Sequence, residues 1–265
     1  MLADVSRLGI VAGNGSLPEY LIFQCKQKKV AYYTIGIKGF FVPSSDSYKP
    51  NMFLKLSNIG NMFSIFHTER VTHVVFIGGV KKPLLISLLP NLVTLKYIFK
   101  LLYYYRKGDN EFLSKIIKIT EKQGFKVIGS DKILDSYIAK KGLLNNFKNF
   151  KLNKKLISKS YLLAKDYGLS DKGQALVLKN NKVISLESSR GTDAMLNYLY
   201  KKNTTGDLLV KVMKPMQDIR IDLPTIGPKT VMLAGRIGIR GIIIDSNSTY
   251  IVDLKETIQI ADKLN

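Results

Sequence analysis

Between positions 211 and 222 the sequence reads KVMKPMQDIRID, which crowds Lys211, Lys214, Gln217, Asp218, Arg220 and Asp222 into twelve residues. Carboxylates hold hard divalent cations through oxygen, and Lys and Arg neutralise phosphate oxygens, so the mixture suits a magnesium–phosphate centre. An exposed, salt-bridged loop is the plainer account of such a window. The residues that follow tilt the balance. Asp222 stands two positions before Pro224 in RIDLPTIG, and the proline ring fixes its own φ and drives Leu223 towards extended backbone. A carboxylate held at such a junction is either a cap or a positioned reactive group. Arginine is rare in this chain, so Arg220 beside it favours the second.

Two further polar sets precede this window. Glu187 ends a strand pattern, and Gly191-Thr192-Asp193 opens a helix, where Thr192 or Asp193 could serve as a cap. Near the amino terminus, Gly13-Asn14-Gly15-Ser16-Leu17-Pro18 follows a strand and opens a helix, so its backbone amides could hold a phosphate or another anion. As a dinucleotide fingerprint the loop is poor. Pro18 stands where the third glycine belongs, and VAYYTIG offers no acid at its tip for a ribose.

These groups need elements to position them. RLGIVAG, VAYYTIG, THVVFIGG and FKVIG read as strands, and a helix is expected from Pro18 to about Lys28. GDNEFLSKIIKITEKQG reads as an amphipathic helix with Asp109 as cap and Gly124 as stop. Strands alternating with helices predict a Rossmann-like, doubly wound parallel sheet, whose ligands bind beyond the carboxyl ends of the strands. Gly13, Asn14, Gly78 and Gly79 fall there and are expected to touch substrate. A polar, basic stretch, AKKGLLNNFKNFKLNKK, follows. It sets the expected boundary, with domains over residues 1–138 and 139–265. The second domain is expected to be a distinct α/β unit: a helix over about 154–167, a hairpin turning at Asn180 and Asn181, a helix from GTDAMLNYLY, and strands at DLLVKVMKP, RGIIID and STYIVD before a final helix. Thr225 and Pro228 read as the entrance to a helix through TVMLAGRIG.

Composition bounds the chemistry. The 265 residues are 46% hydrophobic and 23% charged, as in a globular protein. One cysteine, Cys25, and two histidines, His67 and His73, exclude an internal disulfide framework and argue against a thiol or imidazole metal site. Cys25 is expected to be a small apolar residue on a helix, and His73 to be structural. A metal here would take carboxylate oxygens, which favours magnesium or manganese. The net charge of +21 comes mainly from lysines spread along the chain. Nucleic acid is not the expected partner, because arginine is the preferred phosphate and base reader. Residues 84–105 are apolar but contain Pro90, Asn91, Lys96 and Lys100. That is a poor bilayer span and reads better as a loop and an amphipathic helix. The amino terminus lacks the apolar core of a signal peptide, and a cytoplasmic protein is expected.

The motifs GIVAGNGSLP, RKGDNEFL, ESSRGTDAML and above all KVMKPMQDIRIDLPTIG, in this order and spacing, resemble the metal-dependent UDP-2,3-diacylglucosamine pyrophosphatases of lipid A synthesis. The similarity runs from about Leu8 to the carboxyl terminus. It implies hydrolysis of the substrate pyrophosphate to UMP and 2,3-diacylglucosamine 1-phosphate, magnesium (or manganese) as cofactor, and a Rossmann-like domain joined to a distinct α/β domain. It places the essential aspartate at Asp222, expected to hold metal or orient water; the polar residues themselves offer Asp193, Asp218 and Glu187 as candidate metal co-ligands and Lys214 and Arg220 as phosphate clamps. Gln174, Glu187, Thr192, Lys211, Gln217 and Thr225 complete the expected substrate contacts. One departure is FIGGVKKP, where relatives often carry Asn at the position of Gly79. Expected partners are the glycolipid itself and, peripherally, the cytoplasmic face of the inner membrane, with a homodimer as an option. Two rival readings are an oxidoreductase using nucleotide sugars or dinucleotides, and a non-enzymatic module for anionic lipid or RNA.

Overall fold

The computed structural model describes residues 4–80, 90–105, 109–145 and 153–264. Lys81, Lys82 and Pro83 of FIGGVKKP, Arg106 to Gly108 of RKGDNEFL and part of the expected boundary stretch lie outside the described residues. The chain divides into two compact units, Met1–Asp135 with Asp218–Asp222, and Ser136–Gln217 with Leu223–Asn265. The five residues around Arg220 thus belong with the first unit although they come late in the sequence.

The first unit is built on β1 (Leu8–Ala12), whose five residues are all buried. A strand apolar at every position must be covered on both faces, as in a parallel sheet with helices above and below. The sheet order is β3-β2-β1-β4-β5, with β2 at Tyr32–Ile37, β3 at Met52–Leu54, β4 at His73–Ile77 and β5 at Lys126–Val127. All of these strands are parallel. Strand order therefore reverses between β1 and β4, the point where such sheets open a ligand crevice. Helix α1 (Leu17–Gln27) starts with proline in its first turn and buries Leu21, Ile22 and Cys25. Burial drives the Cys25 thiol up to about 12, so it is an inert apolar filler. His73 is also buried in β4 and is pushed below its usual range by desolvation. Short β3 has no expectation in the sequence, because three residues carry too little periodicity to read.

Helix α2 (Met62–Thr68) places Phe63 and Phe66 in a core with Tyr33, Ile35, Val74 and Phe125. Helix α3 (Leu92–Tyr105) begins after Asn91, whose side chain accepts the Thr94 N–H at 2.9 Å. Thr94 Oγ1 in turn accepts the N–H of Gly60. Helix α4 (Asp109–Lys122) runs into Gly124, at φ +91, which ends it as expected.

The second unit has a four-stranded sheet, β10-β8-β6-β7. Strands β6 (Ala175–Lys179) and β7 (Lys182–Leu186) form the expected hairpin. Asn180 and Asn181 have φ of 50° and 61°, the backbone of a type I′ turn. Strand β8 (Leu208–Lys211) is antiparallel to β6, and β10 (Gly241–Ile244) is parallel to β8. Alternation sorts the residues between two faces. Leu176, Leu178 and Val210 pack with Ala164 of α5 (Lys154–Leu169). Ala175, Val177 and Leu209 pack with Met195, Leu196 and Leu199 of α6 (Thr192–Lys201) and Leu233 and Ala234 of α7 (Pro228–Arg236). A small parallel pair, β9 (Thr225–Ile226) and β11 (Tyr250–Ile251), precedes α7 and α8 (Leu254–Leu264) respectively. Thr225 therefore sits in a strand, and the helix entrance is Gly227 with Pro228 in the first turn.

Candidate functional site

In the second unit five of the expected residues, Gln174, Glu187, Thr192, Lys211 and Thr225, come together, and Glu187, Thr192 and Lys211 are buried. Lys211, at the end of β8, is 8% exposed, and its Nζ donates to Thr192 Oγ1 at 2.9 Å and to the Thr225 carbonyl at 2.9 Å. The Thr192 hydroxyl donates onward to Glu187 Oε1 at 2.5 Å. Glu187 Oε2 accepts the backbone N–H of Gln174 at 2.7 Å. One hydroxyl thus links a buried cation to a buried carboxylate, an arrangement that keeps both charges hydrogen-bonded. Tyr167 donates its hydroxyl to the Glu187 carbonyl, and burial, then the neighbouring Glu187, raises its pKa. The Gln174 side-chain oxygen is buried without a hydrogen-bond partner among the described residues. Neither Thr192 nor Asp193 caps α6. Gly191 stands at that position with φ 87°, no side chain accepts there, and Asp193 instead accepts from Thr230 at 2.9 Å and pairs with Lys229 at 3.2 Å.

The stretch that follows β8 is clamped from behind. Asp245 Oδ2 accepts the Met213 N–H at 2.7 Å and pairs with Lys165 Nζ at 2.9 Å, while Lys165 also donates to the Met213 carbonyl. Both backbone groups of one residue are therefore held by a single ion pair. Lys214, only 6% exposed, reaches Asp171 at 2.8 Å, and its N–H donates to Gln217 Oε1 at 3.1 Å. Sequence spacing gives no sign of Asp171, Lys165 or Asp245, because their partners lie 43, 48 and 32 positions away.

In the first unit, Asp218–Asp222 forms a tight turn in which the N–H groups of Ile221 and Asp222 both reach the Asp218 carbonyl. The Asp218 carboxylate ties it further, accepting from the Arg220 N–H at 3.0 Å and from its guanidinium at 3.0 and 2.7 Å. Arg220 NH1 also reaches Glu121 of α4 at 2.9 Å. This guanidinium holds the Asp218 carboxyl below its usual range, and Asp218 holds Arg220 above its own. A depressed carboxyl pKa stabilises the fold above the unfolded-state pKa and loses that contribution as pH falls through the folded value. The melting-temperature gap between the native protein and Asp218→Asn should therefore be full at neutral pH and shrink below about pH 4. A gap that is constant with pH would contradict this.

The glycine loops lie at the carboxyl ends of β1 and β4, and they are bonded to each other. Asn14 N–H donates to the Gly79 carbonyl at 2.7 Å, and Gly79 N–H returns to the Asn14 carbonyl at 2.8 Å. A Cβ on Gly13 would stand 2.7 Å from the Gly79 carbonyl, and one on Gly78, at φ +87, would stand 2.7 Å from that of Asn14. The close approach explains both glycines. Gly79 acts here through its backbone, and among the described residues nothing stands within 4 Å of where a Cβ would sit.

Among the described residues, no group of three or more His, Cys, Asp or Glu is placed to hold a metal ion. Asp193 lies in the second unit and Asp218 and Asp222 in the first, so these three are not joined within one unit. Magnesium, however, is commonly held by one or two carboxylates together with water and substrate phosphate. The first unit has donors of that chemistry. Asp222 is half-buried at the end of its turn. Asp131 Oδ1 is buried without a hydrogen-bond partner among the described residues. Asp131 follows β5 beside Gly129, where a Cβ would stand 3.4 Å from the Arg220 Cα. Sequence reasoning passed over Asp131, although its place just beyond a strand carboxyl end is a signal it could have used.

Both units have relatives of known kind. The LpxI N-terminal domain family matches residues 7–137, and the LpxI C-terminal domain family matches residues 140–265. A curated relative from Caulobacter vibrioides, UDP-2,3-diacylglucosamine pyrophosphatase LpxI, is 30% identical over 97% of this chain and 95% of its own length. A parallel first sheet whose glycine loops meet at its switch point, a second α/β unit around Lys211, and matches to both domains in the right order lead to one assignment: the chain belongs to the LpxI family.

Proposed function

We propose that this protein hydrolyses the pyrophosphate bond of UDP-2,3-diacylglucosamine to UMP and 2,3-diacylglucosamine 1-phosphate, a step of lipid A synthesis, with magnesium as cofactor. The observation that carries the reading is similarity along nearly the whole chain to a relative bearing that activity in its name. Phosphoryl transfer needs mainly positioning and neutralisation of charge. Asp222 is the residue assigned to the metal or the attacking water, with Asp131 as a second hard oxygen donor on the same unit. Magnesium, when bound, would neutralise phosphate oxygens as a Lewis acid. Arg220 carries its charge fixed by Asp218 and Glu121, so it is held in one place rather than searching for a phosphate. We place the enzyme at the cytoplasmic face of the inner membrane, in peripheral contact with it, because a diacylated substrate resides in a bilayer.

The oxidoreductase reading is disfavoured by the first unit itself. At the crevice where a dinucleotide phosphate would need free amides, Asn14 and Gly79 N–H groups are already spent on each other. The deciding experiment is incubation of metal-stripped protein with UDP-2,3-diacylglucosamine, followed by product analysis. UMP should appear only after magnesium or manganese is returned. Full turnover in excess chelator would remove the metal, and no UMP under any condition would remove the reaction.

A further inference from the structure

Helix α3 is apolar on both sides. Its inner side is accounted for, since Thr94 and Ile98 are buried and Tyr97 and Leu101 pack on the core of the first unit. Its outer side carries Leu92, Lys96, Phe99 and Tyr103, spaced four, three and four residues apart and so aligned in one stripe. Leu92 is 85% exposed, Phe99 65% and Tyr103 63%. A helix apolar all round is normally buried. This one leaves its large apolar residues open, next to a lysine.

We propose that the outer stripe of α3 docks on the surface of an anionic phospholipid bilayer. The proposal rests on the reading above that the substrate is a membrane glycolipid. Aromatic and leucine side chains beside lysine are the composition of helices lying in a membrane interface, where the ring or chain sinks and the ammonium stays at the headgroups. No aspartate or glutamate occurs in residues 70–108, so nothing acidic on this part of the chain opposes the surface. Beside α3, a cavity of about 560 Å³ is lined by Tyr97 and, from α4, by Lys115, Lys118 and Lys122 with one carboxylate, Glu121, which is paired with Arg220. Lys115 Nζ sits 4.6 Å over the Tyr104 ring. These ammonium groups suit headgroup phosphates. The helix would lie on the membrane, since no described helix is long and apolar enough to cross one. A second copy of the chain is the weaker occupant. A 14-residue helix offers a strip about 21 Å long and roughly 10 Å wide, far below the roughly 800 Å² per partner of a stable interface. Two such faces would also bring Lys96 against its own copy.

The test is co-sedimentation of the whole protein with vesicles of phosphatidylethanolamine and phosphatidylglycerol, and with vesicles of phosphatidylcholine alone. The native protein should sediment with the first and much less with the second. Leu92→Ser/Phe99→Ser/Tyr103→Ser should lose at least tenfold in vesicle affinity, and Lys96→Glu should lose severalfold, most at low salt. Both variants should keep the native melting temperature, and both should keep native hydrolysis of substrate dispersed in detergent. Undiminished vesicle binding by both variants overturns the proposal. So does the breakup of a native dimer by the same substitutions in sedimentation velocity, which would assign the stripe to a second copy. Hydrolysis is read separately, so a protein that binds vesicles but releases no UMP refutes the reaction and not the surface.

Discussion

Asp222→Ala should keep its fold and lose about a thousandfold or more in turnover of UDP-2,3-diacylglucosamine, some 4 kcal/mol of transition-state stabilisation. The local geometry separates this outcome from the structural one. A cap at this turn would have to be the carboxylate that accepts its backbone N–H groups. That carboxylate is Asp218, which takes the Arg220 N–H, while the carbonyl of Asp218 takes those of Ile221 and Asp222. Pro224, buried, then fixes the exit of the chain. Asp218 and the backbone therefore supply the ties that close the turn, and the alanine variant is expected to keep it. KM should move less than kcat, because the acyl chains and uridine supply most of the ground-state contact. Melting temperature and turnover measured on one preparation decide the matter. A protein destabilised by about 1 kcal/mol with an unchanged rate per folded molecule would make Asp222 a cap after all.

How far the site could be read from sequence follows from what local pattern can encode. Uniform burial along LGIVA, the Asn180–Asn181 turn and the proline at the start of α1 are properties of neighbouring residues. Periodicity and turn chemistry expose them. The two-residue strands β9 and β11 are too short for any period, and only pairing between distant segments creates them. The polar residues divide in the same way. KVMKPMQDIRID announced a concentration of charge, but not which charges satisfy each other. Lys214 is bound to Asp171 and Arg220 to both Asp218 and Glu121. The last of these contacts spans 99 positions. Likewise Thr192 looked like a cap because it stands at a helix start. Gly191 at φ 87° took that place, and the Thr192 hydroxyl was drawn instead into the link between Lys211 and Glu187.

That link sets the largest stability effect expected from one small substitution. Thr192→Val removes a single hydroxyl and keeps the side-chain shape, yet it strips a donor from Glu187 and an acceptor from Lys211 at once. Both charged groups are buried. A hydrogen bond to a charged group contributes roughly 1.5–3 kcal/mol, and a buried charge left short of partners costs its desolvation. Lys211 keeps the Thr225 carbonyl and Glu187 keeps the Gln174 N–H, so the loss should be about 3 kcal/mol rather than the full sum. Thr192→Ser, which restores the hydroxyl without the methyl, should recover most of it. Denaturant unfolding of the three proteins measures this. A valine variant as stable as the native protein would mean that water serves these charges equally well, and the cluster would have to be regarded as open to solvent. If the cluster instead only positions β8 and the start of α6, turnover per folded molecule should fall far less in Thr192→Val than in Asp222→Ala. The order of the two variants in stability and in rate should then be opposite: the valine variant the less stable, the alanine variant the slower.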